Sequence, residues 1–75
     1  MIKRFGDMDY LDIFTIIDED QFIGHTFLKT GDDYVIDLKT IDDIDIDDFD
    51  MECEVIGHLN SNGQVVQPKP VFKRR

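Results

Sequence analysis

The stretch MECEVIGHLNSNGQVV, residues 51–66, decides the fold class. Its first half alternates between apolar and polar side chains, with Cys53 and Val55 on one side and charged residues on the other. Period-two alternation is typical of a β-strand with one buried and one wetted face. The Asn62-Gly63 pair that follows is a strong signal for a tight hairpin turn. The stretch therefore predicts two antiparallel strands joined at this turn.

Two further strand patterns lie upstream and are joined by a turn. The segment YVIDLKTI, residues 34–41, alternates in the same way, with Tyr34 and Leu38 on the apolar side and Asp37 on the polar side. This alternation predicts a strand whose Asp37 side faces water. The segment QFIGHTFLK, residues 21–29, precedes it, and the intervening TGDD is typical of a turn. These segments predict a second hairpin.

The N-terminal segment DYLDIFTIIDEDQ, residues 9–21, fits two structures. A helix capped by Asp7 would explain why apolar residues recur at three-residue spacing, at Phe5, Met8, Leu11 and Phe14. The second half of the segment, however, is rich in β-branched residues, which favour strands. We therefore predict a strand here and keep the helix as the alternative.

The tripeptide Ile-Gly-His occurs twice, at residues 23–25 and 56–58. Each copy is followed by a glycine-containing turn and an apolar return segment, as two hairpins of similar design would be. Gly24 and Gly57 fall inside predicted strands, where glycine often marks a bulge or a sharp bend. Bent strands allow a small sheet to curl into a barrel.

Together these patterns predict a mainly β protein with a single domain over residues 1–75. We expect one small five-stranded antiparallel sheet, curled into a partly open SH3-like or OB-like barrel. An acidic connection, extended or with a short helical turn, would lie between the third and fourth strands. Because Pro68 and Pro70 cannot donate ladder hydrogen bonds, we expect the last strand to lie at an edge or to end there. The basic tail, residues 69–75, is expected to fray or to pair with the acidic body.

The charges of this chain are segregated. It has 75 residues and a net charge of −9, and all seventeen acids lie between residues 7 and 54. Lys29 and Lys39 are the only Lys or Arg residues between residues 5 and 68. Such a body is repelled by nucleic acid and by anionic lipid and is attracted to basic protein surfaces. A single cysteine and the lack of any apolar run near ~20 residues lead us to expect a cytoplasmic protein.

The stretch TIDDIDIDDFDME, residues 40–52, holds six aspartates and a glutamate. If extended, it would direct Ile44 and Ile46 to one side and alternate aspartates to the other, about 6.8 Å apart. Phosphates along one strand of nucleic acid repeat on a comparable scale. The apolar residues would hold the row against the core, which a merely solubilising tail does not need. The candidate partner-binding residues are Asp42, Asp43, Asp45, Asp47, Asp48, Asp50, Glu52 and Glu54.

No pattern in the chain matches a catalytic or metal site. The acidic stretch resembles the start of an EF-hand loop from Asp43 onward, but Asp48 stands where that loop requires glycine. His25, His58 and Cys53 are too few and too scattered for a structural zinc site. We expect surface or half-buried strand histidines and a core cysteine instead. The sequence thus predicts no cofactor, no metal and no enzymatic activity.

The leading hypothesis is a small acidic inhibitor of a nucleic-acid-handling enzyme. It would present the carboxylate row to a basic groove as a mimic of nucleic acid, and its size and acidity suit a phage or mobile-element protein. The alternative is a structural module that oligomerises through an exposed apolar sheet face near Ile23, Phe27 and Ile56, with the acids serving only solubility. Under either hypothesis we expect no direct contact with nucleic acid or membrane.

Overall fold

The computed structural model describes residues 1–17 and 19–67, which form one antiparallel sheet of seven strands. The strands are β1 (Ile2–Arg4), β2 (Asp12–Ile16), β3 (Phe27–Lys29), β4 (Tyr34–Asp37), β5 (Asp42–Asp45), β6 (Glu52–Leu59) and β7 (Val65–Val66). Two 3₁₀ turns, Phe5–Asp7 and Asp20–Phe22, are the only helical elements in these residues. Neither turn is long or apolar enough to cross a membrane. The mainly β prediction is confirmed.

Strand β6 pairs with three other strands, more than any other strand of the described sheet. The strand order is β1-β6-β2-β3-β4-β5, and β7 also pairs with β6. Because β2 occupies one edge of β6, β1 and β7 share the other edge, opposite the first and last parts of β6. The strands at the two ends, β1 and β5, do not pair with each other. The sheet is therefore not closed into a barrel, and the predicted five-stranded barrel is wrong in strand number and in closure.

The two strands that the sequence did not predict are β1 and β5. Strand β1 has only three residues, too few for an alternation to be recognised. Strand β5 lies inside the acidic stretch, which was predicted as a connection because aspartate disfavours strands. Residues 42–45 have no helical turn, so of the two conformations expected for the acidic stretch, the extended one is observed there.

The segment before β3 is shorter as a strand than predicted. Residues 20–22 form a 3₁₀ turn instead, and only Phe27–Lys29 pairs with neighbouring strands. Gly24 has a φ of 83°, a left-handed conformation that glycine adopts without steric cost. It therefore belongs to a turn, and the predicted bend within a strand is wrong at this position.

The N-terminal segment contains a strand, as predicted. Strand β2 pairs with both β3 and β6, and the helical alternative is wrong. Phe5, Met8 and Phe14 are nevertheless all buried. Their three-residue spacing arises because a 3₁₀ turn, an irregular segment and a strand each send one side chain into the same core.

A β-bulge lies beside Gly57, where the sequence predicted an irregularity. Ile13 of β2 lies opposite Gly57, whereas the next residue, Phe14, lies opposite Val55, so Ile56 is the extra residue. A Cβ atom at position 57 would lie 3.1 Å from Val65 Cγ1, so glycine lets β7 approach closely. The predicted hairpin between β6 and β7 is confirmed, with its glycine, Gly63, at a φ of 80°.

One apolar cluster on the inner face of the sheet forms the core. The ring of Phe14 lies 5.9 Å from that of Phe5 and 5.6 Å from that of Phe27. Phe27 is fully buried, so it is not part of an exposed patch with Ile23 and Ile56 as the sequence suggested. Cys53 is also fully buried, which confirms the core position predicted for it.

The face of β4 that packs on this core is the opposite of the predicted one. Val35 and Asp37 are buried, whereas Tyr34 is 53% and Leu38 is 40% exposed. Asp37 was assigned to the wetted face because it is charged. Its carboxylate tolerates burial because it accepts hydrogen bonds from His25 and from the backbone of Lys39.

The connector, residues 46–51, links β5 to β6 and is hydrogen-bonded to the first 3₁₀ turn. Phe5 donates its backbone N–H to the Met51 carbonyl at 2.8 Å, and Gly6 donates to the Phe49 carbonyl at 2.9 Å. Ile46 and Met51 join the core cluster from this segment. The core is thus enclosed by a connector rather than by pairing between the terminal strands. The predicted C-terminal tail and the two prolines lie outside the described residues.

Candidate functional site

The acidic edge, which we define as Asp42, Asp43, Asp45 and Asp47, lies on and just after strand β5. In the described part of the chain β5 pairs only with β4, so its other side is a free edge of the sheet. Along this segment Ile44 is half-buried and Ile46 is buried, whereas the four carboxylates are exposed. The chain therefore directs its apolar side chains inward and its acids outward, as the extended alternative predicts.

The acidic edge is held at both ends by hydrogen bonds. At its start, the Ile41 N–H donates to the Asp37 carbonyl at 2.7 Å and closes the β4–β5 turn. At its end, the Ile46 N–H donates to the Asp33 carbonyl at 2.7 Å. Burial of Ile46 in the core adds an apolar anchor to these bonds. The carboxylates of Asp43 and Asp45 thus project from a paired strand.

The connector that follows is also ordered by contacts. The Phe49 ring stacks on Phe5 with the ring centroids 6.0 Å apart and the planes inclined by only 5°. Asp48 accepts a hydrogen bond from the Asp50 backbone N–H at 3.2 Å, which folds the chain into a turn. Asp48 and Asp50 therefore lie at a turn and do not continue the extended strand β5.

The eight carboxylates predicted as one strip fall into separate groups. The acidic edge lies at one end of the sheet, and Asp48 and Asp50 lie on the connector. Glu52 and Glu54 lie on β6, and strands β2, β3 and β4 stand between β6 and β5 in the sheet. The structure therefore does not place all eight residues in a continuous row.

The two ends of the predicted strip also differ in charge compensation. Glu54 pairs with the N-terminal ammonium group of Met1. Asp50 Oδ1 lies 3.9 Å from Arg4 Nη1, with both side chains exposed. No Lys or Arg side chain in residues 1–17 and 19–67 pairs with the four carboxylates of the acidic edge. Within the described residues, the negative charge of the acidic edge is therefore not compensated by a Lys or Arg ion pair.

Each Ile-Gly-His histidine binds a buried aspartate. His25 Nδ1 lies 2.6 Å from Asp37 Oδ2, and His58 Nδ1 lies 2.9 Å from Asp12 Oδ1. Because a carboxylate only accepts hydrogen bonds, Nδ1 is the donor in both pairs. Both histidines are half-buried, within the predicted range, but only His58 lies on a strand, so the strand position predicted for His25 is wrong. The sequence analysis did not identify their partners, although both aspartates interrupt apolar stretches, which was an available signal.

The pKa of Asp37 reflects two opposing effects. Burial raises the pKa of this carboxyl group because it disfavours the charged form. Hydrogen bonds from His25 and from the backbone N–H groups of Lys39 and Thr40 favour the carboxylate and lower the pKa. The hydrogen bonds outweigh the burial, so the pKa of Asp37 lies below its usual value.

Lys29 is a buried cation beside the core. Its side chain is only 5% exposed, and its Nζ donates to the Phe5 carbonyl at 3.0 Å. The same Nζ lies 4.3 Å from the centroid of the Phe5 ring, within the range of a cation–π interaction. An adjoining open cavity of about 320 Å³ is lined by Gly6, Met8, Lys29, Asp32 and Phe49.

The side chains that could bind a metal ion are dispersed in the described part of the chain. The described residues contain no group of three or more His, Cys, Asp or Glu side chains arranged to hold a metal ion. The two histidines donate to aspartates on different strands, and Cys53 is buried in the core.

Comparison with known proteins gives no family assignment. No protein-family model, no curated protein and no solved structure matches this chain.

Proposed function

We propose that this protein is a small acidic inhibitor that binds the basic groove of a nucleic-acid-handling enzyme. The observation that carries the proposal is the alternation along the acidic edge, where exposed aspartates flank inward-facing Ile44 and Ile46. Alternate side chains on an extended strand are about 6.8 Å apart. Asp43, Asp45 and Asp47 thus offer three negative charges at a repeat similar to that of nucleic-acid phosphates.

The rigidity of the acidic edge supports this proposal. Binding costs conformational entropy whenever a flexible segment must become ordered. Here the strand pairing of β5 and the burial of Ile46 already fix the backbone that carries the acids. Electrostatic attraction to lysines and arginines then supplies on-rate and specificity, and it weakens with added salt.

The proposed class of partner is a protein, and the proposed role is binding rather than catalysis. Phosphate backbones and anionic lipid would repel a chain with a net charge of −9. We place the protein in the cytoplasm and infer a phage or mobile-element antagonist from its small size and acidity. No cofactor is needed for this activity.

The test is capture of partners from a lysate at low and at high salt. The variant D43N/D45N/D47N removes the row, and the matched control D7N/E19Q/D20N removes the same charge from exposed acids elsewhere. We expect the wild type and the control to capture the same basic protein at low salt, and the triple aspartate variant to lose it. Equal capture by D43N/D45N/D47N, or capture that is insensitive to salt, would contradict the proposal.

A second candidate function is assembly through the outer face of the sheet. The register places Ile13 opposite Leu28, and Leu28 opposite Ile36, so these three side chains form an apolar row across β2, β3 and β4. Tyr34 and Leu38 flank this row and are exposed. Light scattering that gives a fixed oligomer, dissociated by Leu28→Glu, would favour assembly, and a monomer at all concentrations would exclude it.

A further inference from the structure

We propose that the free edge of β5 is a strand-addition site for an extended segment of the partner rich in lysine or arginine. The inference rests on the proposed function, because it uses the same carboxylates of the acidic edge. It goes further by naming the mode of recognition. The edge of β5 would bind the backbone of the partner segment as well as its charged side chains.

The backbone groups that face the free edge belong to the same residues as the exposed acids. In an antiparallel ladder, hydrogen-bonded and non-hydrogen-bonded residue pairs alternate. Ile46 donates to the Asp33 carbonyl, so these two residues form a hydrogen-bonded pair next to the pair Tyr34–Asp45. The alternation makes Tyr34–Asp45 and Ile36–Asp43 the non-hydrogen-bonded pairs.

A residue in a non-hydrogen-bonded pair directs its N–H and C=O away from the paired strand. Asp43 and Asp45 therefore direct two donors and two acceptors toward the free edge of β5. No other described strand covers this edge, and both side chains are exposed. A partner strand laid along β5 would satisfy these four groups, as in other proteins that bind peptides by β-augmentation.

Charge determines which strand can be added. Natural sheets protect free edges with charged side chains, proline or bulges, and the aspartates beside Ile44 on β5 repel an acidic strand but would attract a basic one. The carboxylates of Asp43 and Asp45 lie on the same face of the sheet, because residues two apart on a strand share a face. An incoming residue directly opposite either aspartate has its side chain on that face, where a cation would pair with it.

A second copy of this chain is a poorer occupant of the edge. The opposite end of the sheet is β1. There Phe5 donates to Met51 and Val55 donates to Met1, so the backbone N–H and C=O groups of Ile2 and Arg4 face outward. The cations of that edge, Lys3 and Arg4, are neighbours on β1 and point to opposite faces, so only one of them can face the carboxylates of Asp43 and Asp45. Each copy also carries a net charge of −9, which opposes self-association. A foreign basic segment fits the edge better.

The test uses the full-length protein and three synthetic peptides of sequence Lys-Val-Lys-Val-Lys-Val-Lys. One is unmodified, one is methylated at the backbone nitrogen of each lysine, and one at that of each valine. All three carry the same charge. If lysines lie opposite Asp43 and Asp45, the lysine nitrogens face β5 and the valine nitrogens face away.

We expect the unmodified and valine-methylated peptides to bind alike by calorimetry. The lysine-methylated peptide should bind about tenfold or more weakly, as the loss of two backbone hydrogen bonds implies. Amide chemical shifts should move at residues 42–47. No binding of the unmodified peptide, or equal binding of all three, would overturn strand addition. Equal binding that D43N/D45N/D47N still abolishes would leave the proposed charge recognition intact, so the two proposals fail separately.

Discussion

Replacing Asp43, Asp45 and Asp47 with asparagine should stabilise the protein at low salt, because the acidic edge holds like charges close together. Two neighbouring pairs about 6.8 Å apart each cost about 0.6 kcal/mol in bulk water, and the outer pair costs about 0.3 kcal/mol. With a Debye length of about 30 Å at 0.01 M salt, the total is about 1 kcal/mol. With a Debye length of about 3 Å at 1 M salt, it is about 0.1 kcal/mol.

The unfolded chain keeps part of this repulsion, so we expect a gain of about 0.5–1 kcal/mol in the free energy of unfolding at 0.01 M salt. For a domain of this size the Tm would rise by about 2–8 °C. Urea and thermal denaturation of the wild type, D43N/D45N/D47N and D7N/E19Q/D20N at both salt concentrations would measure it. The control removes acids that do not share a strand, so it should gain less. A gain that persists at 1 M salt, or a loss of stability at low salt, would refute the electrostatic reasoning.

Three further predictions concern single positions. Ile41 has a φ of 60°, a left-handed conformation that is strained for isoleucine, and its side chain is 73% exposed. Ile41→Gly should therefore raise the free energy of unfolding, measured in urea, by about 1 kcal/mol. A lower free energy of unfolding would show that the isoleucine side chain makes a necessary contact. Because the pKa of Asp37 is lowered in the folded state, the stability it contributes is present above about pH 4 and is lost as the pH falls through the folded-state value. Urea denaturation from pH 2 to pH 7 should therefore show a shallower acid limb for Asp37→Asn, and an unchanged limb would contradict this. Lys29→Ala should leave a cavity that costs about 2–3 kcal/mol of stability. Lys29→Met should cost less, because methionine fills the space and the Phe5 carbonyl still accepts a hydrogen bond from the Met8 N–H at 3.2 Å. Equal losses of stability in the two variants would show that the charge of Lys29 is required.

The parts of the fold that the sequence predicts are those with local causes. The alternation in β6 and the Asn62-Gly63 turn require only neighbouring residues, and both are observed. Strand β5 is not predicted from its local sequence, because aspartate disfavours strands in general. It pairs as a strand because Ile44 and Ile46 face inward, while its acids project into water beyond the last strand of the sheet.

The parts that the sequence does not predict depend on distant contacts. The burial of Asp37 requires His25 on a preceding turn, and the burial of Asp12 requires His58 on another strand. A pattern of apolar and polar residues assigns such aspartates to water. Strand order is likewise non-local, so the separation of Glu52 and Glu54 from the acidic edge could not be inferred from their closeness in the sequence.

The pairing of β6 with three other strands has a consequence for the order in which the strands can fold during synthesis. Ile2 lies opposite Glu54, so β1 has no partner strand until synthesis has passed β6, about 50 residues later. The meander from β3 to β5, in contrast, joins strands that follow one another along the chain. We expect the meander to acquire structure first during translation. Strands β1 and β2 should pair with β6 only after β6 has left the exit tunnel.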